Sequence, residues 1–233
     1  GIVGASVVHH LIEEGWDDIV GLEKSAIPTD IGSTSHASDF CYMTSHDKLN
    51  VEVTNYSREF YAKRGNYIKT GGLEVARKDD DERMLELIRK VGSGKAFGTN
   101  AYMISAAEAK EKFPLLEEDQ IQGAMWDPDA GLVTPRSQKV AGDLVDEAVA
   151  SGKLKAFAYT PATKLIVENG EIKGVETHKG TIRADYVVLC VGIWGNLVSE
   201  TAGVKLPLMP LEHPLLFFGP WDHLEGTGKD IVY

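Results

Sequence analysis

The stretch "GIVGASVVHHLIEEGWDDIVGLE", Gly1 to Glu23, predicts a helix followed by a short buried strand that ends in an acidic residue. Apolar residues recur at helical spacing from Val7 to Ile12, and Gly15 follows them as a helix stop. "DIVGLE" is a compact apolar run with a carboxylate at its end. This order of elements is typical of the later part of a nucleotide-binding βαβ unit.

The spacing of glycines and acid within this stretch fits a dinucleotide-binding turn. Gly1 and Gly4 match the second and third glycines of G-x-G-x-x-G, where the backbone approaches a pyrophosphate and the helix packs on the strand. Glu23 comes nineteen residues after Gly4, where such folds place the acid that hydrogen-bonds ribose hydroxyls, and Lys24 adjoins it. An acid there disfavours a 2′-phosphate, so FAD or NAD is expected rather than NADP. A plain helix start and a solvated strand end are the alternatives. The backbone groups expected to meet phosphate at the helix N-terminus are those of Gly1, Ile2, Val3 and Gly4.

A second strand is predicted in "YVVLCVGIWG", Tyr186 to Gly195. A continuous apolar run that ends at glycine fits a parallel strand buried on both faces. Ligands bind at the carboxyl ends of such strands, so Gly192 would let the backbone approach a dinucleotide closely. The alternative is an ordinary buried strand followed by a glycine turn.

The segment "GSTSH", Gly32 to His36, is too small and polar to build a core. Following the acidic strand end, it would lie beside a cofactor, where hydroxyl groups donate hydrogen bonds without steric cost. Its imidazole would serve as proton carrier, hydrogen-bond donor or nucleophile. The alternative is a surface loop with a solvated histidine.

Composition excludes several classes of protein. The 233 residues carry a formal net charge of −11, which argues against a nucleic-acid-binding surface. No apolar stretch approaches the ~18 residues of a membrane span. Cys41 and Cys190 are far apart in sequence, so no disulfide framework and a reducing compartment are expected. The adjacent His9 and His10 do not have metal-ligand spacing, and no metal site is predicted.

Several further elements are readable from local patterns. Asn169-Gly170 lies between apolar runs and predicts a β-hairpin, and Ser105 with Glu108 predicts a helix N-terminus with a capping box. Tyr67 to Ala76 predicts strand, turn and strand. Further helices are predicted over residues 45–64, in "DDDERMLELIRKVG" and over residues 135–152.

Seven motifs together resemble a known family in their order along the chain. They are "GIVGAS", "LEKSAIPTDIGSTSHAS", "GGLEVA", "ISAAEAKEKFPLL", "IQGAMWDPDAGLV", "VGIWG" and "LPLMPLEH". The sequence resembles the dimethylglycine oxidases and dehydrogenases and the sarcosine dehydrogenases, which are D-amino-acid-oxidase-like flavoproteins. The resemblance implies an α/β fold: a doubly wound, Rossmann-like FAD-binding domain of the glutathione-reductase and D-amino-acid-oxidase type, with an interleaved α+β substrate domain. The FAD-binding domain is expected over residues 1–41 and 135–206, and the substrate domain over 42–134 and 207–233.

The resemblance also implies roles for individual residues. His36 would be joined covalently to the 8α-methyl group of FAD, Phe40 would touch the flavin, and the backbone of Thr163 would lie on the adenine side. His213 would be the active-site histidine that orients the amine or adjusts its protonation. The chain departs from the family at Ser38-Asp39, where Pro-Gly is common, and at Pro214-Leu215, where Gln-Tyr is usual. The residues expected to line the flavin are Gly32, Ser33, Thr34 and Ser35.

The activity implied is oxidative demethylation of dimethylglycine or sarcosine by hydride transfer to flavin. The product iminium would yield formaldehyde or a one-carbon unit on tetrahydrofolate, and oxygen or an electron-transfer flavoprotein would accept the electrons. The protein would be cytoplasmic in a prokaryote or in the mitochondrial matrix of a eukaryote. Two alternatives are a flavoprotein acting on another amine or amino acid and a non-catalytic regulatory relative. The chain is expected to be an internal piece that lacks the first strand of the fold, and by itself to bind FAD poorly and be inactive.

Overall fold

The computed structural model describes residues 1–212 and residue 214. The α-helices of this part of the chain are α1 (Ile2–Glu13), α2 (Lys48–Lys63), α3 (Asp81–Ala96), α4 (Ala106–Lys112), α5 (Ser137–Ala150) and α6 (Gly195–Ser199). Its strands are β1 (Ile19–Leu22), β2 (Phe40–Cys41), β3 (Tyr67–Lys69), β4 (Gly72–Arg77), β5 (Tyr102–Ile104), β6 (Ile121–Asp127), β7 (Gly131–Val133), β8 (Leu154–Phe157), β9 (Ala162–Glu168), β10 (Glu171–Thr177) and β11 (Gly180–Arg183). Short 3₁₀ turns lie at Glu118–Gln120, Gly192–Trp194 and Glu200–Ala202.

The chain forms two compact units. The first unit contains Gly1–Ser38 and the described chain from Pro135 onward, and the second unit contains Asp39–Thr134. Two separated segments therefore build the first unit, and the second unit is inserted between them in sequence. The assignment of FAD binding to one part and substrate binding to the other stays a prediction.

The first unit combines a parallel strand pair with an antiparallel sheet. β1 pairs with β8 in parallel, from Ile19 opposite Leu154 to Leu22 opposite Phe157. β9, β10 and β11 form the antiparallel sheet, in the order β11-β10-β9. The predicted hairpin at Asn169-Gly170 joins β9 to β10, as expected of a turn that needs two residues with positive φ.

Helix α5 forms the centre of packing in the first unit. It contacts both α1 and β8, and Val140 and Leu144 on its inner face are fully buried. Gly142 lies on the same helix, where a Cβ atom would come within 3.2 Å of Cβ of Pro28. The absence of a side chain therefore lets the loop after β1 pack directly against α5.

The predicted strand in Tyr186–Val191 is wrong: these residues form no strand in the described structure. Val187 and Leu189 pack against the core of the β9–β11 sheet, whereas Tyr186 and Val188 are 75% and 62% exposed. The segment thus buries one face rather than two. A β-ladder requires a neighbour that exchanges backbone hydrogen bonds, and the described residues place no strand beside this segment.

The second unit is built from two antiparallel sheets, with strand orders β2-β7-β3 and β4-β6-β5. Tyr67 to Ala76 forms the predicted pair of strands, but β3 and β4 belong to different sheets, so the turn between them carries the chain from one sheet to the other. Helix α3 packs on β4 and β6, and Leu87 is fully buried there.

The predicted start of α4 is confirmed in atomic detail. Ser105 caps the helix by accepting from Glu108 N–H, and the Glu108 carboxylate accepts from Ser105 N–H in return.

Within residues 1–212 and 214, no helix has the length and apolar character needed to cross a membrane.

Candidate cofactor site

The N-terminus of α1 presents backbone amides with few partners. Thr34 Oγ1 accepts a hydrogen bond from Ile2 N–H at 3.0 Å. Among the described residues, the amides of Val3 and Gly4 have no hydrogen-bond acceptor, and the first turn of the helix carries no acidic side chain. A Cβ on Gly1 would lie 2.7 Å from Thr34 Oγ1, so a side chain at this residue would displace the Thr34 hydroxyl. These free N–H groups at the positive end of a helix dipole can bind an anion.

Glu23 lies beside this helix start. Its backbone N–H donates to Phe157 O at 2.9 Å and so continues the β1–β8 ladder to the last residue before the loop. Glu23 Oε1 accepts from Ser25 N–H at 3.1 Å, and Glu23 Oε2 is 3.7 Å from the Gly1 nitrogen. The carboxylate is therefore held at the strand end next to the helix N-terminus. It can accept hydrogen bonds from sugar hydroxyls there.

Lys24 and Gly32 both lie against the indole ring of Trp194. The Lys24 ammonium lies 3.4 Å from the centroid of the Trp194 ring, a cation–π contact. Gly32 has φ of +86°, and a Cβ at this residue would come within 3.4 Å of Trp194 Cζ3. Trp194 follows Gly192, which also has a positive φ of +54°. The "GIWG" turn therefore contacts the GSTSH segment through an aromatic side chain that sequence reasoning did not single out.

The GSTSH segment folds into a tight turn that holds the His36 ring by one nitrogen. His36 Nδ1 lies 3.0 Å from Gly32 O and 3.0 Å from Ser35 Oγ, and Ser35 Oγ donates to Gly32 O at 3.1 Å. A carbonyl oxygen only accepts, so the contact with Gly32 O is a hydrogen bond when Nδ1 carries the proton. The lone pair is then on Nε2. Within the described structure Nε2 has no hydrogen-bond partner, and His36 and Ser33 are exposed.

Arg136 contacts the same turn from a distant part of the sequence. It is the N-cap residue of α5, and its Nη2 lies 3.2 Å from Ala37 O and 3.4 Å from Ser35 O. Sequence reasoning missed Arg136, because nothing in "TPRSQ" signals a partner a hundred residues earlier. The sequence pattern marks only a helix start at this position.

The remaining predicted residues lie elsewhere. Phe40 is in β2 of the second unit, where its ring packs over Gly72. Thr163 is exposed in β9; its hydroxyl donates to Glu176 O at 3.1 Å, and the β9–β10 register skips it. His213 lies outside the described residues. The roles of Phe40, Thr163 and His213 stay predictions.

The second unit contains a set of polar groups around the half-buried Tyr67 and Asp129 that bond to one another. Tyr67 Oη donates to Asp129 O at 2.7 Å, and burial, followed by the nearby Cys41, raises the pKa of the Tyr67 hydroxyl. Burial alone would raise the pKa of Asp129, but hydrogen bonds from Lys69 and Asn100 hold that pKa below its ordinary value. Tyr67 is therefore a neutral donor and Asp129 a carboxylate at neutral pH.

Both cysteine side chains are thiols at neutral pH, because the pKa of each is raised. Burial, followed by the charge of Asp39, raises the pKa of Cys41, and burial also raises the pKa of Cys190.

Across residues 1–212 and 214, no group of His, Cys, Asp and Glu side chains is arranged to hold a metal ion.

Comparison with known families gives a match along nearly the whole chain. The family model described as "FAD dependent oxidoreductase" matches residues 1–231. The mouse (Mus musculus) pyruvate dehydrogenase phosphatase regulatory subunit, mitochondrial, is 31% identical over 95% of this chain and 26% of its own length. Human (Homo sapiens) mitochondrial sarcosine dehydrogenase is 29% identical over 91% of this chain and 24% of its own length. Human mitochondrial dimethylglycine dehydrogenase is 29% identical over 91% of this chain and 25% of its own length.

Solved structures agree with this assignment. L-proline dehydrogenase from P. horikoshii superposes with a TM-score of 0.77 at 30% identity, over 88% of this chain and 54% of that protein. The chain spans about a quarter of the length of the curated relatives that it matches. Together the family match and the superposition confirm the predicted FAD-binding α/β fold.

Proposed function

The chain belongs to the FAD dependent oxidoreductase family, and from this premise we propose that the full-length protein oxidises an N-methylated glycine, dimethylglycine or sarcosine. When bound, FAD supplies the acceptor for a hydride from the N-methyl carbon. The resulting iminium hydrolyses to formaldehyde and the demethylated amine, or its one-carbon unit passes to tetrahydrofolate. The relatives named sarcosine dehydrogenase and dimethylglycine dehydrogenase support this choice of substrate.

The geometry at the start of α1 supports FAD as the cofactor of the first unit. The unpartnered amides of Val3 and Gly4 would bind the pyrophosphate, next to the Thr34 hydroxyl that accepts from Ile2 N–H. Glu23 would accept hydrogen bonds from the ribose hydroxyls. Lys24, held over Trp194, would add a positive charge at the edge of the same site. The residues present therefore fit a dinucleotide.

The turn at His36 is the observation that carries the proposal of a covalent cofactor. With Nδ1 bonded to Gly32 O, the free lone pair of Nε2 is the nucleophile available at the end of the segment. Forming the bond replaces one hydrogen of the flavin 8α-methyl group by Nε2. The methyl carbon would lose one proton and two electrons. The electrons would pass to the acceptor that the oxidoreductase reaction uses, either oxygen or an electron-transfer flavoprotein, and the imidazole would keep its proton on Nδ1.

His213 would orient the amine of the substrate or adjust its protonation. The compartment would be the mitochondrial matrix in a eukaryote or the cytoplasm in a prokaryote, and the two human relatives are named as mitochondrial. Each of these roles belongs to the full-length protein, since this chain spans only part of such relatives.

A second candidate is a non-catalytic regulatory chain. The mouse relative named as a phosphatase regulatory subunit favours it. A chain of that kind has no need of a flavin-linking histidine, so His36 argues for the enzyme. A third candidate is an oxidoreductase for another amine, which would keep the GSTSH segment and differ in its substrate pocket.

The deciding experiment tests whether flavin stays with the protein after denaturation in acid. We expect flavin fluorescence in the band of the full-length protein, lost in His36→Ala and kept in His178→Ala, which removes an exposed histidine between β10 and β11. If native protein binds FAD but acid removes it, the covalent link is refuted and the oxidoreductase assignment stands. If native protein binds no flavin, the regulatory candidate replaces the enzyme. Turnover of dimethylglycine and sarcosine, compared with other secondary amines, then tests the substrate.

A further inference from the structure

We propose that Arg136 is a positioning residue that orients the His36 imidazole toward the cofactor, an inference that rests on the proposed attachment of FAD at His36. Arg136 Nη2 lies 3.2 Å from Ala37 O and 3.4 Å from Ser35 O. Ser35 O belongs to the peptide group that joins Ser35 to His36, and Ala37 O belongs to the peptide group that joins Ala37 to Ser38. Arg136 is thus bonded to the backbone immediately before and after His36.

The chemistry of the guanidinium suits this role. All of its N–H groups are donors in a planar arrangement, so one guanidinium can bond two carbonyl oxygens at once. Arg136 stands at the first turn of α5, whose residues Val140 and Leu144 are fully buried. A rigid helix therefore anchors the donor that holds the turn.

The other contacts of the segment lie on its N-terminal side. Gly32 packs on Trp194, and Thr34 Oγ1 accepts from Ile2 N–H at 3.0 Å. These contacts hold the part of the segment next to the proposed pyrophosphate site. Arg136 holds the part that follows His36. Its removal should therefore loosen the imidazole while the groups proposed to bind FAD remain in place.

The test separates binding of FAD from its attachment. Full-length apo-protein is incubated with FAD; bound FAD is measured at equilibrium, and the acid-stable fraction is followed with time. In Arg136→Gln we expect attachment to slow about tenfold or more, because a displaced nucleophile loses its alignment. The Kd for FAD should change less than about twofold. Arg136→Lys, which keeps a charged donor, should recover part of the rate. Hydrogen exchange of the peptide containing residues 32–38 should be faster in Arg136→Gln.

A matched control is available on the same helix. Lys139 is exposed one turn along α5, where it pairs with Asp143, and Lys139→Gln should attach FAD at the wild-type rate. If wild type attaches FAD and Arg136→Gln does so equally fast, the positioning role is refuted while the proposed function stands. Equal slowing in Lys139→Gln would refute it as well, since the effect would then come from the helix. If wild type binds FAD without attaching it, the proposed link fails and this inference fails with it.

Discussion

The buried carboxylate of Asp127 allows a stability effect to be worked out from named contacts. Asp127 ends β6 and is 2% exposed. Its Oδ2 accepts from Met43 N–H at 3.1 Å and from the Thr44 hydroxyl at 2.8 Å. Its Oδ1 accepts from Asp129 N–H at 3.2 Å. One carboxylate therefore joins the segment after β2 to the turn between β6 and β7.

Asp127→Asn keeps the shape but leaves one acceptor oxygen. If that oxygen faces Met43 and Thr44, the new NH₂ group faces the N–H of Asp129, donor against donor. The loss of one hydrogen bond to a charged group costs about 1.5–3 kcal/mol. Asp127→Ala leaves the buried donors of Met43 and Thr44 without an acceptor, and each costs about 1–3 kcal/mol.

Native-state hydrogen exchange of the Met43 amide in the full-length protein measures this cost directly. The opening equilibrium at Met43 should rise about tenfold to a hundredfold in Asp127→Asn, since 1.4 kcal/mol is about a factor of ten. It should rise further in Asp127→Ala. Asp119→Asn makes the same chemical change at an exposed position just before β6 and should leave exchange at Met43 unchanged. Equal exchange in Asp127→Asn and Asp119→Asn would refute the reasoning.

Three further outcomes are expected. Leu144→Ala in the full-length protein should lower stability by about 3–5 kcal/mol, because Leu144 is 0% exposed and the packed helix cannot close the cavity; a change in the free energy of unfolding below about 1 kcal/mol would contradict this. Trp194→Leu removes the ring beneath Lys24 and should raise the Kd for FAD several-fold. Lys24→Gln should raise that Kd less in the Trp194→Leu background than in wild type, and additive effects of the two substitutions would argue against coupling. The pKa of Asp129 is lowered in the folded state, so its stabilising contribution is present above about pH 4 and is lost as pH falls through the folded-state pKa. Asp129→Asn should therefore reduce the loss of Tm between about pH 4 and pH 2, and an unchanged acid slope would contradict the assignment.

Much of the secondary structure could be predicted from near neighbours in the sequence. The helix in "DDDERMLELIRKVG" begins after the N-cap Asp80 and continues to Ala96, with acids in its first turn. The capping box of Ser105 and the hairpin at Asn169-Gly170 also follow from residues one to three positions apart. Such elements are set by bonds within a turn or a hairpin, so the local pattern is sufficient.

The segment Tyr186–Val191 shows where this reasoning stops. Its apolar composition predicted a strand buried on both faces, yet Tyr186 and Val188 are exposed. Hydrophobic composition describes how well a segment suits a strand. Pairing depends on a neighbouring strand, which the composition of the segment does not specify.

The candidate cofactor site divides in the same way. The spacing from Gly4 to Glu23 and the composition of the GSTSH segment were sufficient to nominate these residues from sequence alone. The tertiary structure decided that Thr34 meets Ile2, that Trp194 lies between Lys24 and Gly32, and that Arg136 reaches the backbone around His36. These contacts join residues far apart in sequence. A side chain that bonds a backbone carbonyl leaves no pattern in the sequence, because any residue type can supply that carbonyl.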